Sequence, residues 1–148
     1  MVLNNINFFS QFKNFNYFEK NANFAIGVSG GVDSITLAFL LSKWAKIKGY
    51  KIIALIVDHR LRSNSSVEAK NVSQYLSNHK INNKILVWKN KNPKTRIQEN
   101  ARLARIRIIQ KYCYKNNIIH LFFGHNLDDS LETLVLRKVA GSDIEGLN

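Results

Sequence analysis

Three short runs of the chain carry residue types that can do chemistry together. The first is Ser29-Gly30-Gly31-Val32-Asp33-Ser34. Two adjacent glycines let a backbone come close to a ligand, because no Cβ blocks the approach. Between a strand and a helix, such a turn aims unpaired N–H groups and the positive end of the helix dipole at one point, which favours a phosphate. The hydroxyls of Ser29 and Ser34 and the carboxylate of Asp33 add hydrogen bonds and a share of a Mg2+ ion. The run lacks the Gly-Lys-Ser/Thr ending of a Walker loop and is not Gly-x-Gly-x-x-Gly. Standing alone, it is also compatible with a plain tight connection.

The second run is Gly124-His125-Asn126-Leu127-Asp128-Asp129-Ser130-Leu131-Glu132-Thr133. On a helix, Asp129 and Glu132 fall on one face, as do Asp128 and Glu132. Acidic residues at a helix start are ordinarily capping groups, and a lone histidine is more often structural than catalytic. As a group they can hold a cationic amine, help deprotonate it, or bind Mg2+. The third run, Gln98 through Arg107, puts Arg102 and Arg105 at neighbouring points of one helix face. Exposed arginines are usually solvated, the better reading for Arg107, but a pair can clamp phosphate bidentately.

These runs need elements to hold them. Apolar strand-like stretches alternate with helix-like ones along the chain. Phe24–Val28 leads to a helix over Ile35–Ile47, and Lys51–Val57 to one over Ser65–His79. Lys84–Trp88 leads to a helix from about Thr95 to Asn116, and Ile119–Phe123 to one from about Asp128 to Ala140, with Gly141 placed to end it. Ser65 to Glu68 and Thr95 to Gln98 have capping-box spacing. Continuous apolar strands imply a sheet covered on both faces, and the alternation implies an α/β doubly wound, mainly parallel sheet. In such a sheet ligands bind beyond the carboxyl ends of the strands, where the glycine loop, Asp58-His59 and Gly124-His125 with Asp128 and Asp129 converge. Residues 1–20 read as a helical segment packed on this core, with Phe8, Phe9, Phe12, Phe15 and Phe18 as its apolar stripe.

The bulk numbers fit one domain. The 148 residues are 45% hydrophobic, with 7 Gly and 1 Pro, which excludes a disordered chain. No apolar run is long enough to span a bilayer, and Met1 to Ser10 lacks a leader pattern, so the expectation is a cytoplasmic protein without membrane contact. A single cysteine, Cys113, excludes an intrachain disulfide or a Cys-x-x-Cys site and reads as a small buried group. The net charge of +12 is uneven: residues 41–119 hold 18 Lys and Arg against 3 acids, and residues 120–148 hold 2 against 5. A basic body with an acidic end suits a polyanion partner, although lysine in a Lys- and Asn-rich chain is often only solubilising.

Taken together, four ordered segments resemble the bacterial tRNA(Ile)-lysidine synthetases, a branch of the PP-loop ATP pyrophosphatases. They are Val28 to Ser34, Val57-Asp58-His59-Arg60-Leu61-Arg62-Ser63, Asn100-Ala101-Arg102 through Arg105, and Gly124 to Leu147. The resemblance implies an adenine nucleotide alpha hydrolase-like fold over 21–148, with the rest of the catalytic domain and the tRNA-binding domains of family members beyond Asn148. It implies a ligase that forms a carbon–nitrogen bond. ATP adenylates the C2 oxygen of the wobble cytidine in CAU-anticodon tRNA(Ile); the side-chain amine of free lysine then displaces AMP. Ser29, Gly30, Gly31, Val32, Asp33 and Ser34 would bind ATP, and Asp33 would share Mg2+. Arg102, Arg105 and His125 would serve phosphate or adenylate, and Asp129 with Glu132 would hold lysine. A homodimer is compatible with the family. This chain departs from the family at Ile106, where an aromatic is usual, at Arg60, where glycine is usual, and at Asn126, where a second histidine is common. The alternatives are a PP-loop tRNA thiolase, disfavoured by the single cysteine, and a non-catalytic nucleotide- or RNA-binding fragment.

Overall fold

A computed structural model describes residues 18–89 and 97–124, with 97–100 as backbone only. The second run from His125 onward, the Thr95 capping box and most of the N-terminal phenylalanine stripe therefore lie outside the described residues. Strand β1 (Asn23–Val28) is followed by helix α1 (Val32–Lys48), β2 (Lys51–Asp58), α2 (Ser65–Asn78), β3 (Asn83–Val87), α3 (Ile97–Lys115) and β4 (His120–Phe123). The strands form one sheet in the order β3-β2-β1-β4, every pair parallel. The doubly wound α/β expectation holds.

Alternate residues of the strands feed two cores, which is why the strands read as continuous apolar runs. Phe24, Ile26, Val28, Ala54 and Ile56 pack on one face with Ala38, Leu41 and Trp44 of α1 and Ala69 and Leu76 of α2. Ala25, Leu55, Leu121 and Phe123 pack on the other with Ile109 and Cys113 of α3, where Ile106 is half-buried. Ile106 thus holds a core seat that asks for apolar bulk. Each fully buried side chain such as Leu41 or Leu55 contributes roughly 1.5–3 kcal/mol. Gly27 has a close-packing reason, since a Cβ there would run into the Phe123 ring.

Phe18, the one described member of the N-terminal stripe, stacks edge-on against Phe24, Trp44 and His120. Beside it the Glu19 carboxylate accepts a hydrogen bond from Nε2 of fully buried His120 at 2.8 Å, fastening residues before β1 to the start of β4.

Two local expectations are corrected. Helix α1 begins at Val32 rather than Ile35, so Asp33 and Ser34 belong to its first turn. The Ser65 capping box does not form: Asn64 is the N-cap, without a side-chain capping bond. The hydroxyls of Ser65 and Ser66 go instead to the Asp58 carboxylate, at 3.0 and 2.6 Å. Ser65 also has the Arg62 carbonyl as an acceptor at 3.0 Å, and the Glu68 amide that a Ser65 cap would need donates to the Asn64 carbonyl at 2.9 Å, because the N-cap lies one residue earlier.

Candidate active site

Parallel strand order reverses between β1 and β4, and ligands bind at such a switch point. Between Val28 and Val32 the chain turns through Gly30, at φ 89°, a conformation that disfavours any residue with a Cβ. Gly31 then takes an extended conformation as N-cap of α1 and makes no side-chain capping bond. The amides of Val32, Asp33 and Ser34 thus open the helix without intrahelical acceptors, beside a dipole end that attracts anions.

The two serines hold this loop in shape. Buried Ser34 donates its hydroxyl to the Gly31 carbonyl at 2.9 Å and accepts from the Ser29 amide at 3.2 Å. Its one proton being used, the 3.2 Å contact between the two hydroxyls must run from Ser29 to Ser34. The Gly31 amide points back to Ser29 Oγ at 3.4 Å. Ser34 is therefore a staple inside the loop. The groups facing outward are backbone amides, exposed Ser29 and the exposed Asp33 carboxylate.

On the β4 side Gly124 closes the wall. A Cβ there would lie 3.0 Å from Ser34 Cα and 3.1 Å from the Asp33 carbonyl oxygen, both backbone atoms that cannot swing aside. The second run thus begins against the first, although His125, Asp128, Asp129 and Glu132 themselves lie outside the described residues.

On the other side stands the end of β2. Asp58, 4% exposed, is not turned toward the loop. One carboxylate oxygen accepts from the Arg60 amide and Ser65 hydroxyl, both at 3.0 Å, and the other from Ser66. Burial pushes its carboxyl upward, but Ser66, the Arg60 amide, Ser65 and the Arg60 charge together hold it below the ordinary value. Arg60 itself sits at φ 52°, the left-handed region that favours glycine over a residue with a Cβ.

His59, next in the chain, meets Arg105 from α3. Nε and Nη2 of Arg105 donate to His59 Nε2 at 3.4 and 3.3 Å. The Trp88 ring stands edge-on to the imidazole at 6.0 Å, and the Trp88 amide is bound to the Asp58 carbonyl at 2.9 Å. Burial and the Arg105 charge push His59 below the ordinary histidine value against the pull of Asp58. Burial and neighbouring Arg102 pull Arg105 down as well. Arg102 and Arg107 are exposed. The structure thus joins Arg105 to His59, which the sequence placed at the ligand edge without a role, and adds Trp88, which sequence reasoning had not counted. The only signal for Trp88 was its position just past the carboxyl end of β3.

The donor set suits a polyphosphate. A lone exposed carboxylate beside open amides also fits Mg2+, which takes few protein ligands and many from phosphate and water. Among the described residues no group of three or more His, Cys, Asp or Glu could hold a metal by itself. No described helix is long and apolar enough to cross a membrane.

A parallel sheet whose first strand passes through a glycine turn into a helix, with polar residues at the strand ends, defines a doubly wound α/β protein with an anion-binding edge. The chain belongs to the PP-loop domain family, whose model matches residues 4–148. It is 40% identical over 144 residues to the tRNA(Ile)-lysidine synthase of Orientia tsutsugamushi, covering 97% of this chain and 32% of that protein. To the tRNA(Ile)-lysidine synthase of Wolbachia pipientis wMel it is 41% identical over 130 residues, 86% of this chain and 30% of that one. The chain thus spans about a third of the length of these curated relatives. Among solved structures it resembles the U34-tRNA thiolase NcsA from Methanococcus maripaludis. The TM-score is 0.70 at 22% identity, over 84% of this chain and 48% of that one, a likeness of fold.

Proposed function

We propose that this chain is the ATP-using part of a tRNA(Ile)-lysidine synthetase. The observation that carries the proposal is the alignment of 97% of the chain at 40% identity with a relative of that name. The loop geometry supports it, because open amides at the head of α1 match a triphosphate. In this reading the Ser29–Ser34 loop receives the phosphates through its backbone. Asp33 would hold Mg2+, which when bound supplies neutralising charge to the phosphates. The C2 oxygen of the wobble cytidine attacks the α phosphorus, the bond to the β phosphate breaks, and pyrophosphate leaves. Arg105, with Arg102 beside it, balances the negative charge of the adenylate, and His125 would serve the nucleotide as the family resemblance implies. Asp129 and Glu132 bind the ammonium group of free lysine and take its proton. The amine lone pair then attacks C2, the C–O bond breaks, and AMP departs.

A thiolase reading lacks support at the residue level. Cys113 is buried in the α3 core, where burial pushes its thiol up to about 11. A thiol so disfavoured as thiolate is inert. The test of the proposal is ATP–pyrophosphate exchange and labelled-lysine incorporation with a CAU-anticodon tRNA transcript. Exchange plus incorporation is the expected result. ATP binding without either would reduce the chain to a nucleotide-binding fragment.

A further inference from the structure

An arginine held in place by a protein is usually held by a carboxylate, which cancels its charge. Arg105 is held by an imidazole instead. The guanidinium has only donors, so the Nε2 it meets must present a lone pair, and the His59 proton must sit on Nδ1. That Nδ1 is buried with no hydrogen-bond partner among the described residues. A buried donor left unpaired is costly, and native proteins keep few of them without a use. Asp58, the one carboxylate among the described residues that acts on His59, has both oxygens engaged by the Arg60 amide, Ser65 and Ser66. An imidazole acceptor fixes the guanidinium without neutralising it, which leaves a full positive charge for an anionic ligand.

We propose that His59 is the positioning residue for Arg105: its neutral imidazole holds the guanidinium in place with its charge intact, and protonation releases it. The ligand half of this rests on the nucleotide reading above. Among the described residues, the charged groups that act on His59 are Arg105 from α3 and its chain neighbour Asp58 at the end of β2, and the uncharged Trp88 ring stands edge-on to it. Burial first, and then the Arg105 charge, oppose a charge on the ring against the pull of the engaged Asp58 carboxylate, which holds His59 below the ordinary histidine value. As pH falls through that lowered value the imidazole gains a proton, loses its acceptor and repels Arg105.

The test uses this chain with two readouts. Ring-nitrogen NMR should show His59 as the Nδ1–H form at neutral pH, titrating below the ordinary histidine value, and Arg105→Gln should raise that value. A ring that titrates at or above the ordinary value, or carries its proton on Nε2, overturns the pairing whether or not nucleotide binds. Calorimetry with Mg2+ and a non-hydrolysable α,β-methylene ATP analogue follows, from about pH 8 to pH 5. Wild-type affinity should fall about tenfold or more as His59 protonates. His59→Leu should be weak by a like factor throughout. His59→Gln, whose amide oxygen accepts without titrating, should keep the neutral-pH affinity and lose the acid decline. Tight binding unchanged by His59→Leu overturns the role of His59 while leaving the nucleotide reading intact. No binding by wild type at any pH, with the ring titrating as expected, overturns the nucleotide reading and the ligand half together, leaving only the pair.

Discussion

Asp33 and Ser34 are chain neighbours with opposite jobs, and the difference is where each side chain points. Ser34 is buried and knits the loop to itself, while Asp33 is exposed at the head of α1. Asp33→Ala should therefore abolish pyrophosphate exchange while leaving the melting temperature close to wild type, since an exposed substitution away from special contacts changes stability by at most about 0.5 kcal/mol. Asp58 behaves in the reverse way, as an anchor rather than a ligand. Its folded pKa lies below its unfolded one, so the unfolded chain binds the extra proton. Its stabilisation is complete above the ordinary carboxylate value of about 3.9 and is lost as pH falls through the folded value. Urea midpoints measured against pH should show an acid slope in wild type that is reduced in Asp58→Asn. That variant should cost about 1–3 kcal/mol at neutral pH. The types at these positions were legible in the sequence, but their directions were not. Ser-Gly-Gly-Val-Asp-Ser announces a phosphate loop, while nothing in its letters says which serine turns inward.

At the scale of elements, apolar runs made the four described strands and three described helices legible to within a few residues. Their joints were less so. The Ser65 spacing imitates a capping box, but the N-cap is Asn64, whose carbonyl takes the Glu68 amide, and the Ser65 and Ser66 hydroxyls donate across to Asp58. Arg60 shows the same dependence, since its left-handed backbone comes from the tight Asp58–Arg60 turn closed by its own amide. Left-handed backbone costs an L-residue about 1–2 kcal/mol, and more when the side chain is β-branched. Arg60→Val should thus destabilise by about 1–2 kcal/mol in chemical denaturation, whereas Arg60→Gly should not. The His59–Arg105 pair joins residues 46 apart, across α2, β3 and about half of α3, and no periodicity encodes that meeting.

Over the whole molecule, the sheet sets a division of labour. The edge holding the glycine loop, His59, Arg105 and Gly124 gathers backbone amides and cations, whereas the carboxylates Asp129 and Glu132 belong to the run that starts at Gly124. If the first set serves ATP and the second lysine, the two half-reactions separate by mutation. Glu132→Ala should raise the lysine concentration needed for incorporation by about tenfold or more and leave pyrophosphate exchange largely intact. Loss of exchange in that variant would assign the carboxylates to metal instead. The doubly wound class was readable from strand–helix alternation alone. The placement of β4 beside β1 was not, because strand order is decided by packing after the elements exist.

That placement also bears on how the protein is made. β1, β2 and β3 pair in the order in which they leave the ribosome, each joined to the last by one helix. β4 comes about sixty residues after β2 and must add against the far side of β1, at the edge of the described sheet. Until it arrives, the glycine loop has no Gly124 wall and the start of β4 has not yet met Glu19. Three strands can assemble on the growing chain with an unfinished phosphate cradle, and synthesis past Gly124 is what completes it. A nascent chain stalled before that point would carry the loop sequence in full and still lack the cradle.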